Sequence, residues 1–319
     1  MGYPKVLLTG VSGFVGQHLL RTLNYRGEFL LVAASRRTLE SDGNAQIPLL
    51  IDGINGATSW QDCQELQDVE IVVHLAARAH VLNETSADAI GEFRRVNVDG
   101  TLNLARHASK SGVRRFVFVS SIGVNGSESW SCPFTEVDSP HPHNAYSLSK
   151  WEAEQGLLQI ADATGMAVVI IRPPLVYGCN APGNFGALQR AVKRRWPLPL
   201  GCVRNLRSLV AVDNLVDFIV TTMTHPQAAN ETFLVSDGQD LSTVDLVRGL
   251  AQAAQVPLRL LSCPMWALRV GASLFGKSSA VRLLSCNLQV DIAKARCMLG
   301  WVPPISINEG FKRAMGVPF

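Results

Sequence analysis

The sequence predicts a doubly wound parallel α/β fold, and three observations carry that expectation. Short apolar runs alternate with helical stretches as far as residue 172, which implies a parallel sheet with right-handed crossovers. Several runs are continuous in Val, Ile, Leu and Phe, as strands buried on both faces require. Three glycines, Gly10, Gly13 and Gly16, stand where the first run gives way to the first helical stretch.

Taken in order, Val6–Thr9 reads as the first strand and Phe14–Arg26 as an amphipathic helix. Strands follow at Phe29–Ala33, Pro48–Ile51 and Glu70–Leu75, then a helix at Ala87–Ser111. Arg115–Ser120 and Ala167–Arg172 read as strands around a helix at Tyr146–Thr164. After Arg172 the texture changes, with Pro173-Pro174, Gly178, Pro182-Gly183, Pro197, Pro199 and Gly201, and reads as a loop-rich excursion from the sheet. The chain returns with Ser208–Val212, a helix at Asp213–Thr224 and a strand at Thr232–Val235. Ser242 to Phe319 reads as mostly helical, broken by Pro257, Pro264 and Pro303-Pro304. The expected organisation is a cofactor-binding domain over residues 1–172 plus about 208–236, and a smaller, mainly helical substrate lobe over 173–207 and 237–319.

Composition narrows the function classes. A 319-residue chain with 47% hydrophobic and 17% charged residues is core-rich and excludes global disorder. A net charge of +3, with basic groups as short as Arg114-Arg115 and Lys193-Arg194-Arg195, argues against nucleic-acid binding and for solvated faces. The seven Cys include no C-x-x-C pair, so neither a zinc site nor a disulfide framework is indicated, and a reducing cytosol suits them. The N-terminus enters a strand directly, leaving no room for a signal peptide. Pro264 to Leu284 is interrupted by Arg269, Lys277 and Arg282, which argues against a membrane span and for core-facing helices. A cytoplasmic protein without membrane insertion is expected. His141-Pro-His143 lacks Cys, Asp or Glu at ligand spacing, so no metal is expected.

The glycine turn is the first candidate site. Glycine permits a sharp turn and close backbone approach to a ligand. The helix start behind it offers free N–H groups and a positive dipole end to a pyrophosphate. Gly10, Ser12, Gly13, Phe14, Val15 and Gly16 are the candidate cradle of a dinucleotide. An NAD-binding fold places an acid after its second strand, for the ribose 2′-hydroxyl. Here that place reads Ser35-Arg36-Arg37, and no acid stands between Glu28 and Glu40. A hydroxyl and two cations suit a 2′-phosphate, so NADP(H) is favoured, with NAD as the alternative. Asp52 either receives the adenine amino group or caps the turn before Gly53.

Tyr146-Ser-Leu-Ser-Lys150 is the second candidate site. Positions four apart share a helix face. A nearby ammonium is expected to lower the tyrosine pKa and to let it work as a general acid or base. Upstream, Ser120-Ser121 ends an apolar strand. The Gly-x-x-Gly-x-x-Gly spacing and the Ser…Tyr…Lys order resemble the short-chain dehydrogenase/reductase superfamily, a Rossmann-type fold.

Further segments resemble the extended, nucleotide-sugar branch of that superfamily: Ser120–Gly126, His74-Leu-Ala-Ala77, Asn97–Thr101, Arg172–Gly178, Arg207–Asp213 and Asp291–Pro303. The resemblance implies that Ser121, Tyr146 and Lys150 are catalytic, with Lys150 on the ribose hydroxyls and Ser120 more structural. It implies that Leu75, Ala76, Ala77, Asn97, Ser120 and Pro173 lie along the cofactor, Asn97 as a brace. It implies that Arg207 clamps the diphosphate of a UDP-sugar, with Asn184 and Arg282 as weaker candidates. His74 reads as a packed strand residue. Sugar-nucleotide 4,6-dehydratases carry Asp-Glu where this chain has Ile122-Gly123, which disfavours that reaction; Asn125 stands where the branch has Tyr. The implied activity is NADPH-dependent reduction of the 4-keto group of a UDP-linked 6-deoxy-hexosamine for surface polysaccharide. A 4-epimerase with retained NAD is the alternative. A non-catalytic NADP-sensing or RNA-binding relative is disfavoured because Tyr146 and Lys150 are both present. The branch commonly forms homodimers through two helices, here Ala87–Ser111 and Tyr146–Thr164.

Overall fold

The computed structural model describes residues 3–37, 46–60, 63–79, 88–274 and 284–316. Its strands are β1 (Lys5–Thr9), β2 (Leu30–Ser35), β3 (Gln46–Leu50), β4 (Val69–His74), β5 (Arg115–Val119), β6 (Ala167–Arg172), β7 (Leu175–Tyr177), β8 (Leu209–Ala211) and β9 (Thr232–Leu234). Seven of them form one sheet in the order β3-β2-β1-β4-β5-β6-β9, and every pairing is parallel. The order reverses between β1 and β4. Ligands of such sheets bind outside the carboxyl ends of the strands at that reversal.

The period-2 geometry of strands sorts side chains between the two layers. Val6 and Leu8 of β1 join a core on one face with Leu19 and Leu23 of α1 (Phe14–Arg26). Leu7 points the other way, into a core with Phe116 and Phe118 of β5. Each large apolar side chain buried this way contributes roughly 1.5–3 kcal/mol. Helices α2 (Ala89–Arg94) and α3 (Thr101–Lys110) are joined by a π-helical segment, Arg95–Gly100, where a single helix was expected from residue 87; Ala87 lies outside the described residues. α3 packs against α4 (Ala145–Thr164). Asn144 caps α4 by accepting from Ser147 N, and Ser147 Oγ accepts in return from Asn144 N. Gly165, at φ 75°, ends it.

The excursion after Arg172 is more ordered than its Pro and Gly content suggests. β7 and β8 pair in a small parallel sheet, and α5 (Gly183–Lys193) lies between them in sequence. Pro182 stands just before α5 and Pro197 after it, so these prolines flank the helix instead of interrupting it. Helix α6 (Val212–Thr224) then leads back to β9. The C-terminal region is helical as expected: α7 (Thr243–Ala253), α8 (Met265–Leu274), α9 (Ala293–Leu299) and α10 (Ile307–Met315). Tyr177, Phe185, Val247, Leu250 and Phe311 form its core. The core-facing expectation for residues 264–284 holds for one side of α8 and for Leu284, while residues 275–283 lie outside the described residues. Leu268 packs on this core, whereas Trp266 is 71% exposed and Val270 55%. Among the described residues no helix is long and apolar enough to cross a membrane.

Candidate active site

The glycine turn follows β1. Gly10 sits at φ 73°, and a Cβ there would come within 2.6 Å of Ala76 N. A Cβ on Gly16 would collide with Gly10 O. Gly13 N donates to Gly10 O at 2.9 Å and closes the turn. Gly13 is also the N-cap of α1, which has no side-chain cap and no acid in its first turn. The N–H groups at the start of α1, around Phe14 and Val15, are therefore left without a capping side chain. This cradle fits a pyrophosphate, for which an uncapped helix start supplies donors and a favourable dipole.

Beside it, β4 ends in a buried relay. Thr101 Oγ1 donates to Asn97 O at 2.7 Å, so it accepts from His74 Nε2, 3.0 Å away. Neutral His74 has one proton, so Nδ1 accepts from Thr9 Oγ1 at 2.7 Å. Burial, assisted by the Lys150 charge, pushes the imidazole down to about 3 and keeps it neutral. Thr9 also holds the following turn, accepting from Leu75 N at 3.3 Å through its carbonyl and from Ala76 N at 3.4 Å through its hydroxyl. Asn97, within the π-helical segment, accepts from Arg78 N at 2.7 Å and donates to Arg78 O at 3.2 Å and Ser149 Oγ at 2.9 Å. Both ends of its amide are spent on the protein, so it braces the chain at Arg78, just past Leu75–Ala77.

The ends of β5 and β6 meet next. Ser120 N donates to Ile171 O at 2.7 Å and Ile122 N to Pro173 O at 3.0 Å, which seats Pro173 against the Ser120–Ile122 turn. Ser121 Oγ accepts from Gly123 N at 3.1 Å, leaving its own proton to donate. Tyr146 stands at the start of α4 with its ring edge-on to Phe93 at 6.3 Å. Lys150, one turn later and buried, sits 3.9 Å above the Phe118 ring.

The structure corrects one expectation here. Tyr146 is not lowered by Lys150; burial pushes its phenol up to about 12. Lys150 is itself desolvated and pushed down to about 7, with Glu154 acting against that shift. A buried lysine of that kind carries a weakened charge at neutral pH, so the phenol keeps its proton.

A buried network behind this turn is centred on Arg172 and Glu154, neither of them a sequence-derived candidate for the site. Arg172 Nη2 donates to Glu154 Oε2 at 2.6 Å and Nε to Oε1 at 3.1 Å. Ser120 Oγ donates to the same carboxylate. Arg172 Nη1 donates to Asn125 Oδ1 at 2.9 Å, and Asn125 Nδ2 to Thr135 O at 2.9 Å. Ser120 and Asn125 thus turn inward, to the protein. Glu154 was legible in principle, because it lies four residues beyond Lys150 on one face of α4.

The remaining candidates lie further out. Ser35 is buried and its Oγ accepts from Arg37 N at 3.2 Å, while Arg36 and Arg37 are exposed. Asp52, just beyond β3, is exposed as well. Arg207 lies beside Leu241 and Leu288, donates through Nη1 to Cys286 O at 3.2 Å, and is lowered by burial. Asn184 is exposed on the first turn of α5. Arg282 lies outside the described residues. Among the described residues no His, Cys, Asp and Glu cluster could hold a metal ion.

The profile of the NAD dependent epimerase/dehydratase family matches residues 6–236. The chain belongs to that family. The UDP-glucose 4-epimerase of Vibrio cholerae is 44% identical over 313 residues, covering 97% of this chain and 94% of that protein. The GDP-6-deoxy-D-mannose reductase of Pseudomonas aeruginosa is 26% identical over 321 residues, covering 97% and 95%. Among solved structures, MoeE5 in complex with UDP-glucose and NAD superposes with a TM-score of 0.76 at 24% identity, covering 98% of this chain and 97% of that one. That likeness is one of fold. This epimerase/dehydratase family member is therefore an NAD(P)-dependent enzyme of the nucleotide-sugar epimerase, dehydratase and reductase group.

Proposed function

We propose that the enzyme reduces the C4 keto group of a UDP-linked 6-deoxy-hexosamine with NADPH, in precursor synthesis for a surface polysaccharide. The observation that carries this reading is the end of β2. Ser35 is buried under Arg37 N, the two guanidinium groups of Arg36 and Arg37 are exposed, and no acid stands between Glu28 and Glu40. Guanidinium forks suit a 2′-phosphate, and a reductase needs a cofactor that exchanges at every turnover.

The residues around the cradle fit a nicotinamide dinucleotide. Gly10, Ser12, Gly13, Phe14, Val15 and Gly16 would hold its pyrophosphate, Lys150 its ribose hydroxyls, and Leu75–Ala77 with Pro173 its flanks. The bound cofactor would supply hydride to sugar C4. Tyr146 is the acid of the reaction: a phenol pushed up to about 12 holds its proton at neutral pH and can deliver it to the sugar O4. Ser121 donates a hydrogen bond to the same oxygen, since Gly123 N already occupies an Oγ lone pair. Arg207 takes the UDP diphosphate, with Asn184 a weaker candidate for the same contact. Ile122 and Gly123 provide no carboxylate for a dehydratase. In this reading residues 1–172 with about 208–236 bind the cofactor, residues 173–207 and 237–319 bind the sugar nucleotide, and α3 and α4 pair two subunits in a homodimer.

A second reading is a UDP-hexose 4-epimerase, favoured by the 44% identity to the Vibrio cholerae enzyme. The two readings divide on one measurement. Purified enzyme is given UDP-4-keto-6-deoxy-N-acetylhexosamine and NADPH, and in parallel UDP-glucose with no added cofactor. Stoichiometric NADPH oxidation in the first arm is expected. UDP-galactose in the second arm, with NAD released on denaturation, would establish the epimerase instead.

A further inference from the structure

The chain's charge is unevenly laid out. Between Asp162 and Asp213 stand seven Lys and Arg and no acid, and between Asp245 and Asp291 five and none. Those stretches carry +12 while the whole chain carries +3, so everything else is net acidic. They supply α5, α8 and the strand-like pairing between them. Leu198 N donates to Arg259 O at 2.8 Å, Leu261 N to Leu198 O at 2.9 Å, and Gly201 N to Leu261 O at 3.0 Å.

Side chains on this unit divide into two sets. Leu198, Leu260, Met265 and Leu268 pack on the C-terminal core. Trp196 (55% exposed), Leu261 (53%), Trp266 (71%) and Val270 (55%) face solvent. Trp266 and Val270 are four apart on α8 and share a face. Lys193, Arg194, Arg195 and Arg259 are also exposed, and the Arg194 guanidinium lies 5.4 Å from the Trp196 ring centre.

We infer that this face docks on the surface of an anionic phospholipid bilayer, without crossing it. Indole rings prefer the water–lipid boundary. Basic side chains gain from anionic headgroups, and a short amphipathic helix with aromatic and aliphatic residues on one face lies in the interface plane. Nucleic acid also takes arginines and aromatic rings, but it offers little to Leu261 and Val270, whose exposure is relieved by acyl chains. The segments that carry these side chains have no acid of their own between Asp162 and Asp213 or between Asp245 and Asp291, so they add no like-charge repulsion to a negative bilayer.

Flotation of the full chain with vesicles tests the inference. Binding is expected to phosphatidylcholine vesicles containing about a third phosphatidylglycerol, weak binding to phosphatidylcholine alone, and release by high salt. Lys193→Gln, Arg194→Gln and Arg195→Gln together should lower the partition coefficient about 100-fold, at about five-fold per charge. Trp196→Ser with Trp266→Ser should lower it at least ten-fold at unchanged charge. Thermal denaturation confirms that each variant is folded, and all five positions are exposed. Failure to float with anionic vesicles would overturn the inference. So would tryptophan variants that float as well as the parent, or retention of single-stranded RNA in preference to vesicles.

Discussion

Glu154→Gln tests whether the buried carboxylate holds the site together. The Arg172 and Glu154 side chains are 5% and 1% exposed. Glu154 receives two guanidinium nitrogens and the Ser120 hydroxyl and also sustains the Lys150 charge. An amide of the same shape keeps the packing but removes the anion. It also turns two donors towards a guanidinium that has donors alone. Breaking a buried pair on one side costs about 3–5 kcal/mol. With an unfolding entropy of about 2.1 cal/mol/K per residue, a 319-residue chain loses about 4–8 °C in Tm. Differential scanning calorimetry without cofactor reads this directly. Glu154→Leu with Arg172→Met should recover much of the loss, because the pair is then replaced by apolar volume. A Glu154→Gln transition within 1 °C of the parent would refute the reasoning, since the carboxylate would then not be neutralising Arg172.

Tyr146→Phe should bind NADPH normally, by fluorescence titration, yet lose roughly 10²–10⁴-fold in single-turnover NADPH oxidation; a near-full rate would exclude Tyr146 as the acid. Lys150 is lowered to about 7 from 10.5, so between these values the unfolded chain binds the extra proton. Stability without cofactor should therefore rise from pH 7 towards 10.5, and urea titrations of Lys150→Met should show a flatter profile over that window. Arg36→Ala with Arg37→Ala should erase a preference for NADPH over NADH in fluorescence titration, each charge-assisted hydrogen bond contributing roughly 1.5–3 kcal/mol. Arg207→Ala should weaken UDP binding by calorimetry while NADPH affinity stays unchanged.

The parts of this molecule that were legible in the sequence are those that local chemistry dictates. β1, β5 and β6 are built on continuous apolar runs, and a strand buried on both faces can be little else. Gly10 and Gly16 announce a close approach that the Ala76 and Gly10 backbones realise. What escaped depends on partners distant in sequence. α5 was hidden because its prolines flank it, and β7 exists because β8 pairs with it across 34 residues. The π-helical turn at Arg95–Gly100 has no composition cue. The Tyr146 phenol was misjudged because spacing places Lys150 on the same helix face but says nothing of how far the surrounding protein desolvates either group.

The pairing of β6 with β9 has a consequence for synthesis. Ile170 finds its partner in Thr232, 62 residues later. At roughly 5–20 residues per second, the ribosome leaves β6 as an open edge for about 3–12 s. Its partner-to-be arrives only after β7, α5, β8 and α6 have emerged. Val168, whose amide donates to Asn230 Oδ1 at 3.0 Å in the finished fold, must wait as long. During that interval an apolar parallel strand offers unpaired backbone groups to any neighbour. This nascent chain is therefore open to misassembly in mid-translation, when the side chains proposed for catalysis have already been made and the strand that closes their sheet has not.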